Sequence, residues 1–531
     1  MTEAARATER AGGLTLGEPA GRWVLVAVVL GSGMTFLDGT VVNVALPTIG
    51  RDLGATLAGL QWTVNAYTLT LAALILLGGA LGDRFGRRKV FMIGTVWFAL
   101  ASLMCGLAPD IHVLIAARAL QGIGGALLTP GSLALIQSSF ASDDRARAIG
   151  VWSGLGGIAG ALGPLLGGWL VDSVSWRWVF FINLPMAALV LAVSSRHVPE
   201  SRDESATGGF DVAGAVLGAV GLAGITYALI DAGGHQADPV AVAVSGFLGL
   251  AALAGFVWTE RRSSHPMLPP GLFANRQFTA ANLVTFAVYA ALGGVFFFLV
   301  LELQTEARFS PLASGSALLP VTIIMLALSE RSGRLAERIG PRIPMTVGPA
   351  VSAVGLLLML RIGADASYVA DVLPAVAVFG LGLACTVAPL TATVLGAADV
   401  RHAGTASGVN NAVARAAGLL SVAALPLLVG LSGDEYEIPA AFGSGFRRAV
   451  LICAGLLVAG SVLAWTFIRS DVLKESPQEP DSAPKDLPPL HHHCAIVAPP
   501  LQCDAKGPHD TACGPAAAGP PSSPPKSRGD S

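Results

Sequence analysis

Two full charges stand inside segments too apolar to hydrate them. Asp38 lies within FLDGTVVNVALP (Phe36–Pro47) and Arg118 within LIAARALQGIGGA (Leu114–Ala126). A charge at the centre of a lipid-spanning helix costs ~2.5–3.5 kcal/mol on insertion scales unless it is paired or neutralised. Protonation removes the charge of a carboxylate, so a buried Asp is suited to take up and release a proton. The plainer alternative is a structural Asp held by hydrogen bonds. By helical rise Asp38 lies ~14 Å below the outer end of its helix, and Arg118 ~9 Å below the outer end of its own. An acid and a fixed cation at similar depth could exchange partners as protons come and go, although spacing does not show that they touch.

A second kind of chemistry is conformational. GGIAGALGPLLGGW (Gly156–Trp169) sets Gly156, Gly160, Gly163 and Gly167 on one helical face, with Gly168 following. Such a stripe lets another backbone approach closely. Pro164 removes the hydrogen bond to the Gly160 carbonyl and should bend the helix there. Close packing alone would account for the stripe; a smooth, bent interface could also rock between two states. GALGDRFGRRK (Gly79–Lys89) is a tight loop in which Asp83, Arg84, Gly86 and Arg87 could form a conformational latch, with Asp83 meeting arginines or a helix N-terminus. A basic loop that only fixes topology is the bland alternative. Polar residues inside apolar segments face a bundle interior or a wet cavity. Asn43, Gln121, Asn410, Asn411 and Arg415 are therefore cavity-lining candidates. Glu302 either joins them or sits at the membrane interface near the end of its helix. His491, His492, His493, Cys494, Cys503, His509 and Cys513 match no compact zinc spacing, so neither a metal nor a cofactor is expected.

These residues need a membrane frame to position them. Of 531 residues, 53% are hydrophobic and 13% charged, against about 25% charged in a soluble protein. Lipid must then be the solvent for much of the chain. A net charge of −2 and the lack of a basic tract argue against a nucleic-acid partner. About 20 apolar residues cross a bilayer. Fourteen such runs occur, near 23–47, 58–82, 90–108, 112–137, 147–171, 178–196, 211–231, 239–259, 278–303, 312–330, 344–362, 369–394, 404–430 and 447–468. Pro320, Glu330 and Arg415 interrupt the tenth and thirteenth, which leaves twelve as the competing count. The first run is too long for a signal-peptide core and is read as a span. With the N-terminus in the cytoplasm, inner loops hold sixteen Lys and Arg and outer loops six, the bias of a cytoplasmic face. An even count returns the C-terminus to that side.

The chain also repeats itself. Gly79–Lys89 is echoed by SGRLAERIGPR (Ser332–Arg342), with Gly, Leu, an acid, Arg, Gly and Arg in the same spacing. Arg145–Gly154 is echoed more weakly by Arg401–Gly408. The expected fold is an all-α integral membrane protein of two pseudo-symmetric six-helix bundles plus a two-helix insertion. The bundles span 22–197 and 276–469, the linker with the inserted pair 198–275. A short tail, 1–21, precedes them, and a tail rich in Pro, Ser and charge, 470–531, is expected to be disordered. Repeats of this kind place a transport site between the halves near the midplane.

At these residues the sequence resembles the major facilitator superfamily, and within it the fourteen-helix drug:proton antiporters. LDGTVVNVALP (Leu37–Pro47) resembles the first-helix motif of that group, and GALGDRFGRRK the loop signature of the superfamily. LIAARALQGIGGA resembles the fourth-helix motif, GALGPLLGGW (Gly160–Trp169) the antiporter motif, and WRWVFFINLP (Trp176–Pro185) the opening of the sixth helix. The resemblance runs from about Arg22 to Ile468. It implies that Asp38 and Arg118 couple protons, that Asp83 with Arg84 and Arg87 forms the latch, and that Gly163 and Pro164 form the antiport hinge. Glu337 in place of a second Asp83, and the acids Glu302 and Glu330 at helix ends, depart from the pattern.

The function expected from these readings is proton-driven export of lipophilic or cationic drugs across a bacterial plasma membrane, by a monomer with both termini inside. The partners are the small-molecule substrate, protons and the lipid bilayer. The proton potential supplies ~2.3 kcal/mol per charge per 100 mV, enough for nearly two decades of gradient. No GxxxxGK[ST] nucleotide loop occurs. A dedicated exporter of one self-made antibiotic or siderophore is the alternative. An intramembrane enzyme is disfavoured, since His112, His197, His235, His265 and His402 all fall at helix ends or in loops and no HExxH occurs.

Overall fold

Each apolar run folds as a helix, and polar side chains at the boundaries cap several of them. Among the described residues, fourteen helices are long and apolar enough to span a membrane: α1 (Pro19–Leu53), α2 (Leu57–Phe85), α3 (Arg87–Gly106), α4 (Ile111–Ser139), α5 (Ser142–Ser173), α6 (Trp178–His197), α7 (Val212–Ala232), α8 (Pro239–Arg262), α9 (Arg276–Thr305), α10 (Pro311–Ile339), α11 (Arg342–Met359), α12 (Tyr368–Gly396), α13 (Ala403–Val429) and α14 (Pro439–Phe467). Asp110 caps α4 by accepting from the amides of His112 and Val113 at 2.9 Å. Asn275 caps α9 in the same way through Gln277 and Phe278, and left-handed Gly54 ends α1. These side chains satisfy amides that a helix leaves unpaired at its start.

The computed structural model describes residues 13–202, 211–234, 237–263, 266–398 and 403–473. The expected disordered tail from 474 onward, the first twelve residues, part of the linker, and Arg401 of the second echo lie outside the described residues. Fourteen spans replace the competing count of twelve for local reasons. α10 breaks at Ala317–Leu318, and Pro320 falls in the first turn of the segment Leu319–Ile339, where a missing amide hydrogen costs nothing. Glu330 is exposed and pairs with Arg334 one turn away at 3.4 Å.

The packing repeats. In the first bundle α1 packs on α4, α5 and α6, α4 also packs on α2 and α3, and α3 on α6. In the second, α9 packs on α12, α13 and α14, α12 also on α10 and α11, and α11 on α14. Adding eight to each helix number of the first set yields the second. The contacts between the bundles, α5 with α10 and α2 with α13, are also images of each other. α7 packs on α2 and α13, and α8 packs chiefly on α7, leaving most of its surface for lipid. The repeated loops match as well: Gly86 and Gly340 both hold positive φ, +110° and +90°, which L side chains rarely adopt. Two pseudo-symmetric bundles with a two-helix insertion is the architecture.

Candidate functional site

The first bundle is organised around its two charges. Asp38 is fully buried on α1, and Arg118 on α4 is 1% exposed. The guanidinium Nη1 of Arg118 donates directly to Asp38 Oδ2. Gln121, one turn along α4, donates through Nε2 to Asp38 Oδ1 at 2.7 Å and to Ser102 Oγ at 2.8 Å. Its Oε1 accepts from Arg118 at 2.5 Å. Asn183 on α6 donates to Asp38 Oδ1 at 3.2 Å, and Arg118 Nε donates to the Thr63 carbonyl on α2 at 3.1 Å. The guanidinium also stacks on Tyr67, 4.4 Å from the ring centroid. Helices α1, α2, α3, α4 and α6 thus each supply a polar group to one closed network. A charge pair survives in an apolar interior only when hydrogen bonds support it, and here Asp38 accepts three and Arg118 donates three. Protonating Asp38 would cancel the pair and leave Gln121 as the neutral partner of Arg118. Spacing in the sequence pointed to Asp38, Arg118 and Gln121; Thr63, Tyr67, Ser102 and Asn183 were missed. Their only sequence signal is a single polar residue within an apolar run, as Asn183 stands in WRWVFFINLP.

The glycine stripe of α5 meets α1 next to Asp38. A Cβ on Gly163 would lie 2.0 Å from Thr40 Oγ1 and 3.1 Å from the Leu37 carbonyl, and one on Gly167 would lie 2.7 Å from a Val41 methyl. Gly160 has more room, 3.9 Å from Phe36. Its carbonyl, which Pro164 cannot bond, lies 3.0 Å from the Thr40 hydroxyl. Gly168 faces α10 instead, where an added Cβ would strike the Pro311 carbonyl at 2.4 Å. In return, Gly315 of α10 sits against the Pro164 carbonyl. Asp172 accepts from the Leu312 amide at 2.9 Å. On the other seam Gln61 of α2 donates to the carbonyls of Val422 and Ala423 on α13 at 2.7 and 3.1 Å. Both seams are therefore closed at the end of the molecule away from the Gly79–Lys89 loop.

At the end bearing that loop the seam opens into a cavity of about 630 Å³. α2 lines it from Ile75 to Arg84, α3 with Arg87, α4 from Thr129 to Gln137, α5 with Trp152, and α13 with Gly404, Gly408 and Asn411. Asn43 lines a smaller cavity, about 80 Å³, with Thr40, Gly160, Pro164, Phe296 and Thr322. Asn410 turns to its own bundle and donates to Thr285 Oγ1 on α9 at 2.7 Å. Arg415 is half-buried, with an unpartnered Nε. Glu302 is fully buried in the protein near the end of α9, and neither of its oxygens accepts a hydrogen bond.

The latch residues come together only in part. Asp83 pairs with Arg87 at 2.8 Å, and Arg84 lies over the Phe85 ring. The acid at the N-terminus of α3 is Glu200, which accepts from the amides of Arg88 and Lys89 at 3.0 and 3.2 Å. Gly86 makes room for it: a Cβ there would lie 2.9 Å from the Glu200 carboxylate. Glu200 sits 114 positions beyond Gly86, and nothing in the loop motif announces it.

A family model described as the Major Facilitator Superfamily matches residues 28–422. The chain belongs to the major facilitator superfamily. Among superfamily members it is 36% identical over 466 residues to the puromycin resistance protein pur8 of Streptomyces alboniger, covering 85% of this chain and 92% of that protein. It is 38% identical over 391 residues to the multidrug resistance protein Stp of Mycobacterium tuberculosis, covering 73% and 72%. A solved superfamily fold, the bacterial homolog of the human lysosomal transporter Spinster in an inward-facing, unoccupied conformation, superposes with a TM-score of 0.60 at 17% identity. It covers 87% of this chain and 99% of that one. This last likeness concerns the fold alone. Membership makes the chain a multi-pass membrane transporter of small molecules.

Proposed function

We propose that this transporter exports small, largely apolar molecules from bacterial cells in exchange for protons, as a monomer in the plasma membrane. The observation that carries the reading is the buried Asp38–Arg118–Gln121 network beside the α1–α5 crossing. Leu37 and Thr40, which receive Gly163, flank Asp38 along α1. A proton on Asp38 would dissolve the pair with Arg118 and loosen α1 against α5, the helix whose far end seals the seam with α10. Proton binding and the closing contact then share one helix. The end bearing the Gly79–Lys89 loop is the cytoplasmic one in this reading, because the arginine-rich loops collect there. The 630 Å³ cavity accordingly opens inward to receive cargo. Strong identity to proteins named for antibiotic and multidrug resistance supports the direction of transport. A dedicated exporter of one self-made compound is the second reading, favoured by the relative named for resistance to puromycin alone.

The test uses inverted vesicles under an imposed pH gradient, with neutral, cationic and anionic lipophilic dyes and with wild type beside Asp38→Asn. Uptake that a protonophore abolishes, and that the variant lacks at equal expression, is the expected result. Full activity in Asp38→Asn removes Asp38 from the coupling path. Dye uptake by wild type that ignores the pH gradient ends the antiport reading.

A further inference from the structure

The export reading leaves the cargo broad, and Arg415 narrows it. Arg415 stands near the middle of α13, about 18 Å of helical rise from Ala403. Its Nε is buried without an acceptor, and no described residue forms a hydrogen bond or ion pair with the guanidinium. Arg118, the other arginine at depth, has a carboxylate, an amide, a carbonyl and an aromatic ring around it. The groups that face Arg415 electrostatically are Tyr67 of α2 and Tyr289 of α9. A phenol can share a hydrogen bond but leaves the positive charge in place. Asp38 is already committed to Arg118 and Gln121. Glu302 lies thirteen residues beyond Tyr289 along α9, about 20 Å of rise away.

Position supplies the second observation. Gly404, Gly408 and Asn411 of α13 line the 630 Å³ cavity, and Arg415 continues that face by one more turn. The half-buried guanidinium therefore lies one turn deeper than the lining residues of a cavity with mostly apolar walls, on the helix face that they share. An uncompensated cation at membrane depth is costly, and arginine cannot shed its proton to escape the cost. An anion arriving through the cavity would complete the site, and the planar guanidinium suits a carboxylate held by two parallel hydrogen bonds. A cationic cargo would meet repulsion there.

Resting on the export reading, we propose that Arg415 binds cargo directly and that the preferred cargo is an apolar body bearing one acidic group, a carboxylate or an acidic enol. The test is binding of three matched probes to the full chain in nanodiscs: 1-pyrenebutyrate, its methyl ester, and a pyrenylbutyl trimethylammonium. Energy transfer from tryptophan, corrected with empty nanodiscs, reads the affinity. Wild type should bind the acid at least tenfold more tightly than the ester or the cation. Arg415→Gln should bring the acid to the level of the ester, and Arg415→Lys should keep several-fold preference. A purely structural arginine would lower all three probes together and leave the ratio unmoved. That result overturns the inference, as does equal or cation-favouring affinity in wild type, or no binding of any probe. Flux of the same probes in proteoliposomes under a pH gradient separates the two readings. Acid-selective binding without gradient-driven flux keeps the site and sinks the export reading. Gradient-driven flux of ester and cation with no acid preference does the reverse.

Discussion

The two bundles share one packing scheme and differ in what they bury. The first closes a charged network in which the donors and acceptors of Asp38, Arg118 and Gln121 find partners across five helices. In the second, Asn410, Asn282 and Thr285 make a neutral pair of contacts between α13 and α9. Arg415 stays unpartnered, and Glu302 lies without a hydrogen-bond donor. Helix packing can be copied from half to half because it depends on small and large apolar residues at repeated spacings. Charge cannot be copied without copying its cost, since each buried ion needs its own partners. The comparison teaches that the duplicated frame leaves the halves free to bury different polar groups.

The largest test of that contrast is thermal unfolding in a fixed detergent. Asp38→Ala strands a buried Arg118 that cannot deprotonate, and should cost ~3–5 kcal/mol. Arg118→Ala should cost clearly less, because Asp38 can then neutralise itself by taking a proton. The neutral contact in the other half predicts only ~1 kcal/mol for Asn410→Ala. Equal losses for Asp38→Ala and Asn410→Ala would break the contrast between the halves.

The two seams between the bundles sharpen it next. They are symmetry images, yet α5 meets α10 backbone to backbone at Gly168, while α2 meets α13 through the amide of Gln61. Gly168→Ala should therefore cost ~1–3 kcal/mol of overpacking, weighted against the state closed at that end, and Gln61→Ala ~1 kcal/mol. Labelling of a cysteine placed at Leu312 from the far side reads the population. The Gly168 variant should label at least several-fold faster, and no change would mean that this contact does not hold the seam shut.

The smallest difference concerns the repeated loops. Gly86 faces the Glu200 carboxylate and Gly340 faces the backbone of Ser470. Glu200→Gln should weaken the start of α3 by ~0.5 kcal/mol at low salt, less at high salt, because the carboxylate is partly exposed. Ser470→Ala should leave α11 unchanged. Hydrogen exchange of the amides of Arg88 and Lys89 measures the first effect, and a salt-independent result would remove the charge argument.

Much of the frame was legible in the sequence. Fourteen spans, the repeat and the inserted pair follow from the lengths of apolar runs and the echo of Gly79–Lys89 in Ser332–Arg342. Asp38, Arg118, Gln121 and Arg415 stood out because a charge or amide in an apolar run is conspicuous. Asn183, Ser102 and Glu200 did not, because each is an ordinary residue whose importance comes from a neighbour 81 to 145 positions away in the chain. Gln121 to Ser102, at 19 positions, was no easier, since the two lie on different helices.

Alone, the sequence determined that this chain spans a membrane many times, with twelve spans competing against fourteen, that it is built as two copies of one half, and that charges lie at depth. Those properties depend on composition and on short-range spacing, which a linear reading holds in full. Only the tertiary structure decided which charges meet. The rotation of each helix about its axis is set by packing against its neighbours, and no spacing within one helix reports it. That rotation turned Arg118 toward Asp38 and left the Arg415 Nε buried without a partner.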